Sequence, residues 1–344
     1  MKPPIERNDL DRKIWDEELD AFVPDRVFDV HTHVYRWEWN ADPKKERGPF
    51  AETVGRQFPE ANWDALDAWD RCLLPGREVH RLAFPFPFPQ CDFEASNAFA
   101  AKETQGDPLS GALMLVHPSM PAEFIGERVR RDGFLGIKPY RYYAATGDPA
   151  NCRIADFLPG HQIEAADDLG LIVMLHLSRR DAVADPENIG DLVRLSGKHP
   201  AVRWILAHCA RGYSAWAVER VAERLRELPN VWFDASSVCE SDAFDALISA
   251  VGADRVMYGS DDLPVGVLRG KYVAFGRAWS FLSESNQTLD LSHCDPRMTF
   301  TRYEQLRAMR RAAQRLGLGK REIKALFFET ATDLVGRVRE SRPG

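Results

Sequence analysis

Five polar side chains stand where short apolar runs of this chain end: His31, His33, His176, His208 and Asp261. Each run is rich in Val, Ile, Leu or Phe and reads as a strand buried on both faces. Alternate residues of a strand point to one side, so His31 and His33 in Asp29-Val-His-Thr-His33 project together. Parallel strands closed into a barrel bring their C-terminal ends to one face, where residues distant in sequence converge above one axis. Neutral imidazoles with one carboxylate suit Zn2+, Fe2+ or Mn2+, with a position left open for water. Singly these residues say little. A lone His-x-His pair is more often incidental than ligating, His176 or His208 alone is more often a satisfied core histidine, and Asp261 alone could cap a helix. The conjunction points to a metal site, because all five fall at expected strand ends and none within an expected helix.

Eight such runs can be traced, at residues 26–31, 79–84, 111–116, 134–138, 171–176, 202–208, 231–234 and 255–258. Segments with helix chemistry lie between them. Residues 121–130 place apolar side chains at helical spacing before Gly133, residues 161–169 close at Gly170, and 214–228 and 241–251 end at Pro229 and Gly252. Alternating strands and helices fit a closed barrel or an open doubly wound sheet. A polar His-Thr-His follows the first strand in place of a glycine-rich phosphate loop, which favours an α/β fold of the TIM (β/α)8 barrel type. A single barrel domain is expected over 26–336, after an N-terminal extension (1–25) packing on it around Trp15 and before a C-terminal tail (337–344). Two long insertions, 34–78 and 265–300, follow the first and last strands and belong to the active-site face as candidate lids. The string Pro85-Phe-Pro-Phe-Pro89 cannot be regular structure and reads as a rigid wall beside the pocket mouth.

The 344 residues are 44% hydrophobic and 28% charged, enough to bury a large core. A net charge of −7 disfavours a nucleic-acid partner, which needs a basic face. Six scattered cysteines with no C-x-x-C pair fit a reducing cytoplasm. The first residues lack the apolar core of a signal peptide, and no apolar run approaches a membrane span. A cytoplasmic enzyme acting on a small molecule, without nucleic-acid or membrane partners, is expected, with a homodimer as the base-rate assembly.

The motifs Asp29-Val-His-Thr-His33, Gly136-Ile-Lys138, Leu175-His176, Ile205-Leu-Ala-His208 and Tyr258-Gly-Ser-Asp-Asp262 occur in that order. Together they resemble the amidohydrolase-related (amidohydrolase type 2) metal-dependent hydrolases, over roughly residues 26–336. The resemblance implies that His31, His33 and His176 bind a divalent metal, with Zn2+ the first expectation and Mn2+ or Fe2+ the alternatives. It implies that Asp261 is the remaining ligand and proton acceptor, and that His208 is an acid/base group beside the metal-activated water. A divalent ion can lower the pKa of bound water to about 7. Asp261 can then carry its proton to a leaving group, and His208 can polarise a carbonyl. Lys138 ends the fourth strand, where binuclear relatives carry a carboxylated lysine bridging two metals. In the type 2 branch that position faces substrate, so Lys138 is read as a substrate-anion contact over one metal and Asp262 as a supporting residue. Arg141, Arg179 and Arg211 lie on loops after strands and suit a carboxylate clamp. His208 is followed by Cys209-Ala-Arg211 where the branch usually has glycine, which alters the shape and charge of that loop. The expected activity is hydrolysis of a small carboxylate-bearing lactone, amide or ester. Non-oxidative decarboxylation of an unsaturated or aromatic acid is the alternative, and a catalytically silent metal-binding barrel is the third reading.

Overall fold

A computed structural model describes residues 5–41, 57–283 and 290–341. Eight parallel strands follow in the expected order: β1 (Arg26–Arg36), β2 (Glu78–Pro85), β3 (Gly111–Val116), β4 (Gly136–Pro139), β5 (Ile172–Leu175), β6 (Arg203–Leu206), β7 (Val231–Asp234) and β8 (Val256–Met257). Each is hydrogen-bonded in parallel to the next. The sheet closes on itself where the Val30 N–H donates to the Tyr258 carbonyl (3.0 Å) and the Asp261 N–H to the His31 carbonyl (2.9 Å). The barrel read from the sequence is the observed fold. A two-residue strand, Glu60–Ala61, runs antiparallel along the far end of β1.

The strands are apolar throughout because each lies between two packed layers. Phe28, Val30, Leu82, Phe84, Leu113, Ile172, Met174, Ile205 and Met257 fill the barrel interior. Val27, Ala83, Met114, Val173 and Leu206 face outward and pack beneath the helices in a second, larger cluster. Each fully buried Leu, Ile or Phe contributes about 1.5–3 kcal/mol. Local chemistry fixes the helix ends. The helix Ala122–Asp132 stops at Gly133, whose φ of 77° is the left-handed cap that glycine adopts without strain. The helix Pro186–Lys198 starts from Asp185, whose carboxylate accepts the Glu187 and Asn188 N–H groups. The helix Thr330–Glu340 plugs the barrel's N-terminal end with Ala331, Leu334, Val335 and Val338. It runs past residue 336, where a tail was expected to begin. Near the N-terminus, Asn8 caps a helix at Asp9–Ile14, and Trp15 stacks on Tyr303 at 6.0 Å.

Three segments differ from expectation. Residues 214–228 form two short helices, Ala215–Glu219 and Ala222–Arg226, rather than one. Val221, between the two helices, has a non-helical φ of −129°, and Val218, Val221 and Leu225 are all buried across the break. The 265–300 insertion contains an antiparallel hairpin, β9 (Gly270–Phe275) and β10 (Ala278–Ser283). The proline string is partly regular, since β2 extends to Pro85 opposite Val34. Beyond it Phe86 and Phe88 pack on Tyr35 at 5.4 and 5.7 Å. Residues 42–56 of the 34–78 insertion lie outside the described residues. No helix among the described residues is long and apolar enough to cross a membrane, and all six cysteines are free thiols.

Candidate metal centre

A register shift in β1 aims the first two histidines. Asp29 lies opposite Arg81 and Thr32 opposite Ala83, so Val30 and His31 together oppose Leu82. This is a bulge, and it turns His31 and His33 into the interior that Phe28 and Val30 already occupy. The Asp29 carboxylate supplies the acceptor that the broken ladder lacks, taking the His31 N–H at 3.0 Å and the Ser260 N–H at 2.9 Å. The two rings sit 5.3 Å apart, and Phe84 lies edge-on to both, at 4.9 Å from His31 and 4.8 Å from His33.

The ends of β5, β6 and β8 bring the other members in. Donor atoms of His31, His208 and Asp261 lie within 4.8 Å of one another. The Nε2 atoms of His33 and His31 stand 3.3 and 3.4 Å from Asp261 Oδ1. Two donors about 2.1 Å from one tetrahedral ion are separated by roughly that distance. His176 joins through His208, their rings 5.0 Å apart. All five residues expected at the site therefore meet at the C-terminal mouth of the barrel. His208, read as the acid/base group, is as closely clustered with His31 and Asp261 as a ligand would be.

The hydrogen bonds assign tautomers that suit a metal. His31 donates Nδ1–H to Asp234 Oδ2 (2.9 Å), His176 to the Leu177 carbonyl (3.1 Å) and His208 to the Ser236 carbonyl (3.1 Å). Each leaves its Nε2 lone pair free. Burial disfavours the charged form of three of them: His33 and His208 are pushed down to about 4, and His176 well below the usual range. Burial alone would raise Asp261, but the His33 hydrogen bond and the facing His208 and His31 imidazoles hold it well below the ordinary carboxylate value. Neutral nitrogens facing a carboxylate fit a divalent cation, and His33 Nδ1, buried without a partner, is the one donor left unanchored among them.

The residues expected to contact substrate separate by depth. Lys138 is fully buried at the end of β4, its Nζ 4.7 Å above the Phe84 ring and without a hydrogen-bond partner. Burial lowers its pKa to about 8 against the pull of Asp234 and Asp261. Arg141 and Arg211 stand at the mouth, half-buried. Arg141 donates to the Pro149 carbonyl (2.8 Å), and Arg211 to those of Leu177 (3.2 Å) and Arg179 (3.0 Å). Arg179 is not a member of the clamp, because its guanidinium is committed to Asp185 at 2.8 Å. The β9–β10 hairpin leans over this side. Tyr213 stacks between His208 (5.8 Å) and Trp279 (4.3 Å), and Tyr272 closes the group at 4.6 Å from Tyr213. The hairpin tip is pinned by Ser214 donating to the Gly276 carbonyl at 3.0 Å.

Four supporting residues went unread in the sequence. Asp234, ending β7, binds His31 through one oxygen and the His208 N–H (3.0 Å) through the other. Ser237 donates to Asp261 Oδ2 at 2.5 Å. Gln305, from the helix Thr301–Arg315, accepts the Ser237 N–H (3.2 Å) and donates to the Gly259 carbonyl (2.7 Å). Arg302, one turn earlier on that helix, pairs with Asp262 and with Asp70 (2.5 Å). Asp262 therefore points away from the centre and is structural. Asp234 could have been suspected, since it also ends an apolar run, and Asp262 takes the supporting place read for it in the sequence. Nothing in the sequence singles out Ser237 or Gln305.

A closed parallel barrel with histidines and a carboxylate over its C-terminal mouth defines a metal-dependent barrel enzyme. This chain belongs to the amidohydrolase family, whose model matches residues 28–337. No curated protein matches it. Among solved structures it is similar to a zinc-bound amidohydrolase of Burkholderia multivorans, with 17% identity and a TM-score of 0.60 over 90% of this chain and 99% of that one. It is also similar to a protein of Pseudomonas putida assigned as a 2-pyrone-4,6-dicarboxylic acid hydrolase, with 18% identity and a TM-score of 0.57 over 91% and 98%. A third is a manganese-bound dihydroxybenzoic acid decarboxylase of Polaromonas sp. JS666, with 15% identity and a TM-score of 0.53 over 91% and 97%. At these identities the likeness is one of fold.

Proposed function

We propose that this protein is a metal-dependent hydrolase that opens a small carboxylate-bearing lactone, ester or amide. The observation that carries the reading is the set of imidazole Nε2 atoms converging on ionised Asp261 beside Lys138, a buried cation without a partner. His31, His33, His176 and Asp261 would hold the ion, with Zn2+ first and Mn2+ or Fe2+ as alternatives. When bound, the ion supplies Lewis acidity toward a carbonyl oxygen and toward water. Asp261, anchored by Ser237 at one oxygen, takes a proton at the other and returns it to the departing oxygen or nitrogen. His208, its Nδ1–H committed to Ser236, offers Nε2 as a second proton acceptor. Lys138 neutralises the substrate carboxylate, and Phe84 with Tyr140 keeps water from its ammonium.

The same groups serve a decarboxylase if the carboxylate beside Lys138 is the group lost, and the shared fold of the manganese-bound decarboxylase supports keeping that second reading. Protein purified without chelator, and again after chelation and reloading with zinc or manganese, should be assayed on lactone, ester, amide and aromatic-acid panels. Release of a new acid that disappears with the metal supports hydrolysis, and release of CO2 supports decarboxylation. Full metal loading with no turnover of any substrate would leave a silent barrel. Failure to load any metal would overturn the site itself.

A further inference from the structure

More positive charge gathers at this mouth than one substrate carboxylate can answer. Lys138, Arg141 and Arg211 all act electrostatically on His176. Among the described residues none of the three has an acidic partner, and Lys138 Nζ, Arg141 Nε and Arg211 Nε are buried without a hydrogen bond. The nearby carboxylates are committed elsewhere. Asp261 and Asp234 face the imidazoles, Asp262 pairs with Arg302, and Asp185 pairs with Arg179. Three side-chain cations and a divalent ion against two carboxylates leave a marked positive excess. Lys138 is fully buried, where an unpaired charge is costly, so its counter-charge must arrive with the ligand.

The cations also occupy two places. Lys138 is closed in the interior over Phe84, whereas the two arginines reach the mouth, with Tyr140 between, its ring 5.8 Å from Lys138 Nζ and 5.2 Å from the His176 ring. Main-chain carbonyls, not carboxylates, tether both guanidiniums. Burial, and then the repulsion of Arg141, lowers the Arg211 pKa to about 10. A like-charged pair held together by carbonyls, with donors to spare, is built to receive an anion. Its surroundings are flat and aromatic, with Tyr142 beneath Arg141 at 5.3 Å and Trp279 beneath Arg211 at 5.6 Å.

We propose that Arg141 and Arg211 form a second anion subsite, and that the substrate is a planar dianion with one acid group at Lys138 and the metal and another at the arginine pair. The inner end of this assignment rests on the hydrolase reading above; the outer end does not. The test uses zinc-loaded protein and calorimetric titration with benzoate, isophthalate and 3-carboxyphenyl phosphate. Either two-ended probe should bind at least about tenfold more tightly than benzoate, as charge-assisted hydrogen bonds to a second group would give. The tighter of the two identifies that group as carboxylate or phosphate. In the double variant Arg141→Met/Arg211→Met, with zinc content and circular dichroism as in wild type, the advantage should shrink to about twofold or less. Lysine at both positions should restore part of it, since charge is kept and the planar fork lost. Equal binding of benzoate and both two-ended probes by wild type, or an advantage that survives in the double variant, would overturn the proposal. Because binding is read without turnover, an absence of hydrolysis would count against the hydrolase reading and leave this result standing.

Discussion

His31 and Asp234 stand 203 positions apart in the chain and share a 2.9 Å hydrogen bond inside the barrel mouth. The other oxygen of Asp234 accepts the backbone N–H of His208 at 3.0 Å and that of Ser236 at 3.0 Å. One carboxylate thus sets the tautomer of one metal donor and the backbone position of another. Burial alone would raise its pKa, but the facing His31 imidazole and its hydrogen bond outweigh burial and keep it ionised.

Replacing that charge while keeping the shape isolates its role. In Asp234→Asn, metal affinity should fall about 10- to 100-fold, the usual effect of losing a partner that orients a ligating histidine. Competition with a chromophoric chelator measures it, with far-UV circular dichroism confirming the fold. Unchanged affinity would show that His31 needs no orienting partner.

Ser237 and Gln305 hold Asp261 from behind. The Ser237 hydroxyl stabilises the ionised form of the carboxylate, so Ser237→Ala should raise the Asp261 pKa. The acid limb of the kcat/KM profile then moves to higher pH, by about one unit for one charge-assisted hydrogen bond. Gln305→Leu leaves the buried Ser237 N–H and Gly259 carbonyl unpaired and should cost about 2–3 kcal/mol in urea unfolding. An acid limb that stays in place in Ser237→Ala would remove Ser237 from the mechanism.

Lys138 is a stability liability kept at the site. Its folded-state pKa of about 8 lies below the 10.5 of a free lysine, so the folded chain bears the cost of the charge. That cost is present in full below pH 8, falls as pH rises from 8 to 10.5, and is gone above. Lys138→Met should therefore stabilise the metal-free protein by about 3 kcal/mol at pH 7 and by little near pH 10.5. Activity should be lost and metal content retained. Loss of metal in this variant would instead favour a bridging carboxylated lysine.

Arg302 tests the assignment of Asp262 as structural. Arg302→Met strands Asp262 in the core, while Asp70 keeps Arg81, and should cost about 3–5 kcal/mol. Adding Asp262→Asn should recover part of the loss, because one stranded charge is removed. A double variant no more stable than the single one would break the link.

What the sequence made legible was whatever a strand's own pattern encodes. Continuous apolar runs announced parallel strands, and His31, His33, His176, His208 and Asp261 were visible because a polar residue ending such a run is out of keeping with it. The illegible part depends on contacts across the fold. The bulge at Val30 and His31 has no signature in Asp-Val-His-Thr-His. Ser237 and Gln305 are ordinary polar residues until a helix 68 positions later packs against β7. His208, Cys209, Ala210 and Arg211 all take left-handed φ values, between 51° and 60°, which favour glycine. The glycine usual in this branch would have hinted at that turn, and its replacement here hid it.

The barrel closes where the His31 carbonyl accepts the Asp261 N–H. The first and last strands of the barrel therefore meet at the candidate metal centre itself. A nascent chain carries His31, His33, His176 and His208 through most of its synthesis without the carboxylate that completes them. If these residues hold the ion as proposed, full metal affinity waits for the last barrel strand, and truncations that stop short of residue 261 should bind zinc more weakly than the full chain.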